Sequence, residues 1–250
     1  MSLLALGMTL VFVFITMLIS MWQKLGLEKE VFIGTIRSAV QLLLVGYVLQ
    51  FVFQADHPLL LLVIVAIMIV VATWNAAKRG RGVRGVMVRV GAAIACTETV
   101  VMSLLLGLGI IEAAPQYMIP LSGMVIGSAM VVSGLFLNQM KREMDSARGE
   151  IEALLALGAT PRQAIQDALK RSVKASMIPT IDGMKTIGLV QLPGMMTGMI
   201  VAGADPVEAV RYQILIVFSL SASAALSSIL LGMLCYRLWF TPQQHLHSFK

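Results

Sequence analysis

Long apolar runs separated by short polar stretches dominate this chain. Seven runs have close to the ~20 residues that a helix needs to cross the hydrocarbon core of a bilayer. They are Leu3–Trp22, Ile33–Phe53, Leu59–Ala77, Val88–Ile111, Tyr117–Leu137, Ile187–Ala204 and Tyr212–Tyr236. Barrel strands need only about ten residues each, so runs of this length predict helices. We therefore predict an all-α, polytopic integral membrane protein with about seven transmembrane helices.

Composition supports the same class. Hydrophobic residues make up 58% of the 250 residues and charged residues 13%, whereas a soluble domain is about 25% charged. The first run has no basic segment before it and no small-residue cleavage site, so we expect an anchor rather than a removable signal. Cys96 and Cys235 both lie inside apolar runs. They predict no disulfide framework or metal motif and are expected to be packing residues.

Basic residues concentrate in alternate connections between the predicted spans. They are Lys24, Lys29, Arg37, Lys78, Arg79, Arg81, Arg84, Arg89, Lys141, Arg142, Arg148, Arg162, Lys170, Arg171, Lys174, Arg237 and Lys250. The other connections carry Asp56, Glu112, Asp205 and Glu208, with Arg211 as their one clear base. The positive-inside rule then predicts that the N-terminus is outside and the C-terminus cytoplasmic.

The basic segment KRGRGVRGVMVR, residues 78–89, resembles a nucleic-acid patch. It is short, however, and lies between two predicted spans. Topology and contact with anionic membrane lipids explain it, so we expect lipid contacts and no nucleic-acid partner.

The longest charged connection, 141–174, is predicted to form a cytoplasmic loop with a helical break. Good helix formers fill 146–157, Gly158 can end a helix, and Thr160-Pro161 can cap and start the next one. This order predicts a stiff projection below the membrane.

Part of this loop resembles the EAA signature of ATP-binding-cassette (ABC) permeases. Glu152-Ala153 is followed six positions after the Glu by Gly158, although Leu154 stands where the motif usually has Ala, and its downstream Ile-x-Leu-Pro is represented by 177–179, Met-Ile-Pro. The resemblance implies a coupling helix that docks in a cleft of a cytoplasmic ATPase. Its implied docking residues are Glu152, Ala153, Ala156, Leu157, Gly158, Ala159, Thr160 and Pro161.

Longer stretches are similar to the FetB family of iron-export permeases. They are WNAAKR (74–79), MIPLSGMVIGSAMV (118–131), LALGATPRQA (155–164) and IPTIDGMKTIGLVQLPGMMTGMIVAGADP (178–206). Ser128 departs from the Asn expected there. The resemblance implies a single transmembrane permease domain over 1–250, metal efflux as the activity, and a multi-pass location in the bacterial inner membrane. It also implies a separate ATPase subunit as partner.

The sequence itself favours a separate ATPase, because it contains no GxxxxGK[ST] phosphate loop. We expect no cofactor on this chain, with ATP and magnesium bound by the partner subunit. One coupling loop in 250 residues suggests half a permease, so a permease homodimer is predicted. Two Gly-xxx-Gly pairs, Gly123/Gly127 and Gly194/Gly198, permit close helix packing within or between subunits.

Polar residues inside the apolar runs are candidates for the substrate path. Glu98 is either a metal ligand or proton carrier, or a protonated carboxyl bonded to another helix. Gln41 and Asn75 serve either as path residues or as bonds between helices. Asp182 and Lys185 are expected to neutralise each other near the cytoplasmic edge.

The sixth run carries several helix breakers. Pro179, Gly183, Gly188, Pro193 and Gly194 predict an interrupted segment, and such segments form gates or binding sites in transporters. Met195 and Met199 offer soft thioether ligands, although packing is the commoner role of methionine.

No HExxH or GxSxG motif occurs, so the chain is predicted to be a transporter subunit rather than an enzyme. Two alternatives to metal export stay open. One is an ABC permease for a non-metal solute such as a nucleotide sugar, in either direction. The other is an ATPase-coupled membrane anchor or sensor that moves no substrate.

Overall fold

The computed structural model describes residues 7–55, 58–80, 83, 85–241 and 246, and these form two compact units. The unit of residues 1–57 contains α1 (Leu10–Trp22) and α2 (Glu28–Ala55). The unit of residues 58–250 contains the other helices. They are α3 (Pro58–Ala77), α4 (Val86–Gly107), α5 (Pro115–Ser146), α6 (Arg148–Ala156), α7 (Pro161–Ala164), α8 (Gln166–Thr186), α9 (Gly194–Val201) and α10 (Pro206–Cys235).

The all-α membrane class is confirmed. Five stretches in the described residues are long and apolar enough to cross a bilayer, and they are Glu28–Gln50, Leu59–Gly80, Val86–Gly107, Pro115–Ser146 and Pro206–Trp239. The apolar helix α1 has 13 residues, which is ~20 Å of helix against the ~30 Å of a bilayer core. Seven crossings and the orientation of the termini stay predictions, as does the single domain over 1–250.

Several predicted features fall on residues outside those described. They are the start of the first run (3–6), the acidic connection at Asp56 and His57, the bases Arg81 and Arg84, and the terminal Lys250.

A side-chain cap joins the two helices of the first unit. The Ser20 hydroxyl at the end of α1 donates to Glu28 Oε1 at 2.8 Å and accepts from the Leu27 backbone N–H at 3.2 Å. This contact satisfies an otherwise unpaired amide at the start of α2.

In the second unit α3, α5 and α10 run in the same direction. The Asn75 amide of α3 approaches Met130 Sδ of α5 at 3.6 Å. Ser223 of α10 donates to the Val125 carbonyl of α5 at 2.9 Å, and further along both helices Gly232 lies against Phe136. Because residue numbers rise together in these pairs, α5 and α10 are parallel. The chain between the end of α5 and the start of α10 must therefore run back to the end of the bundle at which α5 begins.

The predicted sixth span, Ile187–Ala204, is wrong as a single transmembrane helix. Residues 187–204 do not form one helix: 187–193 is a loop, and α9 has eight residues, or ~12 Å of helix. The return is made by α8, which begins beside Met140 of α5, and then by the loop and α9. Pro179 and Gly183 were predicted to break this segment, but both lie inside the continuous α8.

One apolar core joins the helical bundle to the segment after α5. Its buried members include Val90 and Ile94 of α4, Phe136 and Met140 of α5, and Trp239 in the short 3-10 helix Tyr236–Trp239. A second cluster, with Leu105 and Ile111, lies toward the other end of α4. We call the end containing Lys78 and Lys141 the basic end, and the end containing Glu112 and Asp205 the acidic end.

Candidate functional site

The predicted coupling segment begins with α6. This helix has nine residues and is exposed along most of its length, with only Ile151 buried. Glu152 accepts from Arg148 Nε at 2.9 Å across one helical turn. Because both side chains are about half exposed, this pair contributes little to stability. Glu152 is thus left on the surface with its charge available to a partner.

Gly158 ends α6 as the sequence predicts. Its φ of +89° is a left-handed conformation that glycine adopts without steric cost. The Gly158 amide bonds to the Leu155 carbonyl and the Ala159 amide to the Leu154 carbonyl, both at 3.0 Å. These two bonds form a Schellman motif, which satisfies the last carbonyls of the helix.

Thr160 and Pro161 begin α7, which is also predicted from the sequence. The Thr160 hydroxyl accepts from the Gln163 amide, and the Gln163 side chain accepts from the Thr160 amide at 2.9 Å. This reciprocal capping box and the proline at the first helical position both define a helix start. Helix α7 has only four residues, so the segment turns sharply.

We call residues 148–165 the knuckle. Its outward surface is small and mildly apolar: Ala153, Ala156 and Gly158 are exposed, and Leu157 is 84% exposed. Ala159 and Pro161 are half-buried. These short side chains allow close approach of another protein, while exposed charged side chains such as Glu152 and Arg162 lie on the same segment.

The inner side of the knuckle is fixed to the bundle. Ile151, Ala164 and Ile165 are buried in the same core as Met144 of α5 and Trp239. Outside that core, Arg171 of α8 donates to Glu143 of α5 at 2.7 Å, and the Glu143 carboxylate raises the pKa of the Arg171 guanidinium. These contacts join the knuckle to α5 and to α8, where the return path begins.

Glu98 lies on α4, well inside the bundle, and is 4% exposed. The Ser122 side chain of α5 lies near Glu98. Among the described residues, however, neither oxygen of the Glu98 carboxylate has a hydrogen-bond partner. Thr97, its neighbour on α4, also has a buried hydroxyl without a partner there. Unpaired buried polar groups are costly, so Glu98 stays a candidate for the substrate path, and its role there stays a prediction.

The other candidates for the path are dispersed. Gln41 is exposed on α2, in the first unit. Asn75 is exposed on α3. The predicted ion pair of Asp182 and Lys185 is confirmed at 3.3 Å, but its predicted position needs correction. Ser172 of α8 contacts Met140 at the basic end, and Asp182 is ten residues, or ~15 Å, further along α8. The ion pair therefore lies further from the basic end than the predicted position at the cytoplasmic edge.

The methionine ligands and the metal site receive no support from the geometry. Met195 packs against the second apolar cluster, which is the ordinary role of methionine. Met199 is half-buried, and its carbonyl accepts from the Ala204 amide. The described residues contain no cluster of three or more His, Cys, Asp or Glu side chains placed to hold a metal. A metal role for Glu98 therefore stays a prediction that needs donors from elsewhere.

The predicted gate is a real break in the backbone. Gly188 has φ of +84°, and a single bridge joins Ile187 to Gln191. Pro193 then caps α9, whose first residue is Gly194. The left-handed Gly188 and the cap residue Pro193 thus lie on either side of an exposed loop.

The glycines predicted to pack helices differ in their surroundings. A side chain at Gly123 would meet the Met68 methyl group at 3.0 Å, so this glycine permits close packing of α3 on α5. Gly127 and Gly198 face open space within 4 Å, which leaves both free for contacts with another chain.

Sequence reasoning missed the anchors of the knuckle. Trp239 and the Arg171–Glu143 pair come from distant parts of the chain, and no local pattern links them. The 3.6-residue spacing of the apolar positions Ile151 and Ile165 with their neighbours was the one usable signal.

Comparison with known proteins agrees with this architecture. The model of an uncharacterised protein family, UPF0014, matches residues 3–240. The chain belongs to UPF0014. A relative from Bacillus subtilis, UPF0014 membrane protein YjkA, is 50% identical over 246 residues, or 98% of both chains. No solved structure matches the chain.

Two other relatives carry more descriptive names. Probable iron export permease protein FetB of Escherichia coli is 39% identical over 97% of this chain and 93% of its own. Protein ALUMINUM SENSITIVE 3 of Arabidopsis thaliana is 38% identical over 96% of this chain and 88% of its own. The predicted resemblance to the FetB family is thereby confirmed over the length of the chain.

Proposed function

We propose that this UPF0014 member is the membrane-spanning permease subunit of an ABC transporter that exports iron or another metal cation. The knuckle carries the proposal: an exposed surface, with a Schellman motif at the end of α6 and a capping box at the start of α7, is fixed to α5, α8 and the C-terminal 3-10 helix through buried side chains. This construction suits an element that converts the closure of a separate motor into movement of membrane helices.

The motor in this proposal is a separate cytoplasmic ATPase that binds ATP and magnesium. An ATPase dimer has two docking clefts, and each copy of this chain offers one knuckle, so the permease is a homodimer. The open faces of Gly127 and Gly198 support contact between copies. The complex lies in the bacterial inner membrane, with the basic end cytoplasmic.

The substrate path in this proposal runs past α8 and Glu98. Helix α8 starts at the basic end, and Met195 beyond it packs in the cluster with Leu105 and Ile111 toward the other end. Asp182 and Lys185 therefore fall at membrane depth, where exposed charges line water-filled cavities rather than lipid. The metal assignment is supported by the name of the Escherichia coli relative, and Glu98, the buried acid of α4, is the residue on which the experiment tests it.

The test is ATP-dependent uptake of radioactive iron into inverted membrane vesicles that contain this chain and its candidate ATPase. We expect Glu152→Arg to abolish both uptake and co-purification of the ATPase, because it places a bulky positive charge on the docking surface. Glu98→Gln should abolish uptake and leave co-purification intact. Asp145→Arg is the matched control, since it makes the same charge change at an exposed position outside the knuckle.

Two results would contradict the proposal in different ways. Full co-purification of the ATPase with Glu152→Arg would remove the docking role of the knuckle. An intact complex that hydrolyses ATP but takes up no iron would remove the metal assignment, and specific stimulation of its ATPase by a different solute would identify the cargo instead.

A further inference from the structure

A polar groove lies between α3 and α5 at the basic end, away from the knuckle surface. It encloses a cavity of about 230 Å³. Asn75, Arg79 and Asn138 supply its polar lining, and Met130 and Gly134 form part of its wall. The permease proposal gives this groove no function.

Arg79 lies in the 3-10 helix Lys78–Gly80, which continues α3, and it lines this groove. Asn75 precedes Arg79 by four residues, Asn138 follows Gly134 by four residues, and the three polar side chains all line this one groove. A Cβ at Gly134 would stand 3.4 Å from Arg79 Cγ, which means that the aliphatic part of Arg79 rests directly on the α5 backbone. Contact along its stem orients a long side chain whose charged head stays accessible.

The groove carries positive charge and strong donors. None of the described residues that line it is acidic. Among the described residues, neither Arg79 nor Asn138 forms an ion pair or side-chain hydrogen bond, and Asn75 has only its weak contact with sulfur. A guanidinium presents five N–H donors in a fixed plane, and amides add more. This set suits the oxygens of a phosphate and repels a metal cation.

The position of the groove selects a lipid as the source of that phosphate. The apolar helix α3 ends at Ala77, and Lys78 and Arg79 follow at once, so the groove lies where hydrocarbon meets headgroups. Trp74, beside Asn75, is 59% exposed, as is typical of tryptophan at this level. Above the polar lining, the exposed apolar side chains Val70 and Val131 could flank acyl chains, which a free phosphate ion lacks.

We propose that the α3–α5 groove binds the phosphate of an anionic phospholipid headgroup, with Arg79 as the central ligand and Asn75 and Asn138 beside it. The site is independent of ATPase docking and of the identity of the cargo. Basic pockets between membrane helices at the cytoplasmic side are a known form of lipid recognition.

Tryptophan quenching by brominated lipids tests this site in the intact chain. In a Trp22→Phe background the remaining tryptophans are Trp74, next to the groove, and Trp239, which is buried. In vesicles, brominated phosphatidylglycerol should associate near Trp74 about fivefold more strongly than brominated phosphatidylcholine, because one interfacial base contributes about 1 kcal/mol.

Arg79→Gln should abolish this preference, and Arg211→Gln, which removes an exposed arginine toward the acidic end, should leave it unchanged. Unaltered emission from Trp239 verifies that each variant is folded. Equal quenching by the two lipids in the Trp22→Phe protein, or equal loss in both arginine variants, would overturn the proposal. Displacement of the lipid effect by excess inorganic phosphate would overturn its lipid part, since the groove would then select a soluble anion.

Discussion

The knuckle and the segment after α8 both contain a glycine with positive φ followed by a proline at the start of a short helix. In the knuckle, Gly158 and Pro161 lie in a turn that is closed by a Schellman motif and a capping box and is fixed to a buried core. After α8, Gly188 and Pro193 flank a loop whose apolar residues are largely exposed, with Leu189 at 90%. Similar helix breakers thus occur in a turn that buried side chains anchor to the core and in an exposed loop that is held by local backbone hydrogen bonds.

This difference suits the two functions that we propose. A docking element must keep its shape when the ATPase moves it, and a gate must change shape in response to that movement. The knuckle has its anchors on α5, α8 and the C-terminal 3-10 helix, whereas the loop at 187–193 is held by backbone hydrogen bonds within itself and to Thr186 and adds no residue to either buried cluster. Substitutions in each region should therefore have different effects.

Removing the main anchor of the knuckle should have the largest effect. Trp239→Ala deletes a fully buried aromatic side chain from the core that holds Ile165, which is expected to cost about 3–5 kcal/mol of unfolding free energy. Thermal unfolding of the purified protein measures the loss. Leu157→Ala in the same region is the control, because its side chain is 84% exposed and its loss should change stability little. Equal effects of the two variants would contradict the assigned anchor.

Straining the turn of the knuckle should have the next largest effect. At Gly158 an alanine side chain has space but would adopt a left-handed conformation, with a cost of about 1–2 kcal/mol. We expect weaker ATPase co-purification and a lower midpoint of unfolding. Gly149→Ala, inside α6 and also in open space, should instead be neutral or slightly stabilising. Unfolding midpoints that fall equally for both would exclude backbone strain as the cause.

Removing the capping box should have a smaller effect. Thr160→Ala eliminates the hydroxyl that accepts from the Gln163 amide and should cost about 1 kcal/mol. Thr160→Ser retains an acceptor at the same position and should restore most of the stability. Denaturant unfolding of both variants checks this, and a failure of serine to restore stability would assign the effect to the lost methyl group instead.

The open break should tolerate change with the smallest effect on stability. Replacing Pro193 and Gly194 together with Ala is expected to leave assembly with the ATPase intact, because neither residue contacts the knuckle core. Transport should nevertheless fall, since alanine favours a continuous helix where the proposed gate needs a break. Co-purification and vesicle uptake measured on the same preparation separate the two effects. Unchanged uptake would contradict the gate.

Much of the architecture could be predicted from local sequence. The apolar runs identified the membrane class because their length alone decides whether a helix can cross a bilayer. The ends of α6 and α7 were predicted at Gly158 and Thr160 because caps and turns depend on neighbouring residues. Hydropathy failed at Ile187–Ala204, which is apolar enough for a span yet contains the left-handed Gly188 and the cap Pro193.

The sequence by itself therefore determined the membrane class, the family and the local shape of the knuckle. The tertiary structure decided which side chains hold the knuckle, where Asp182 lies along the bundle, and that Asn75, Arg79 and Asn138 share a groove. The physical reason is the separation along the chain of the residues that interact. Hydrogen bonds within a turn join residues a few positions apart, whereas α3 and α5 are brought together by packing across some 55 residues of chain.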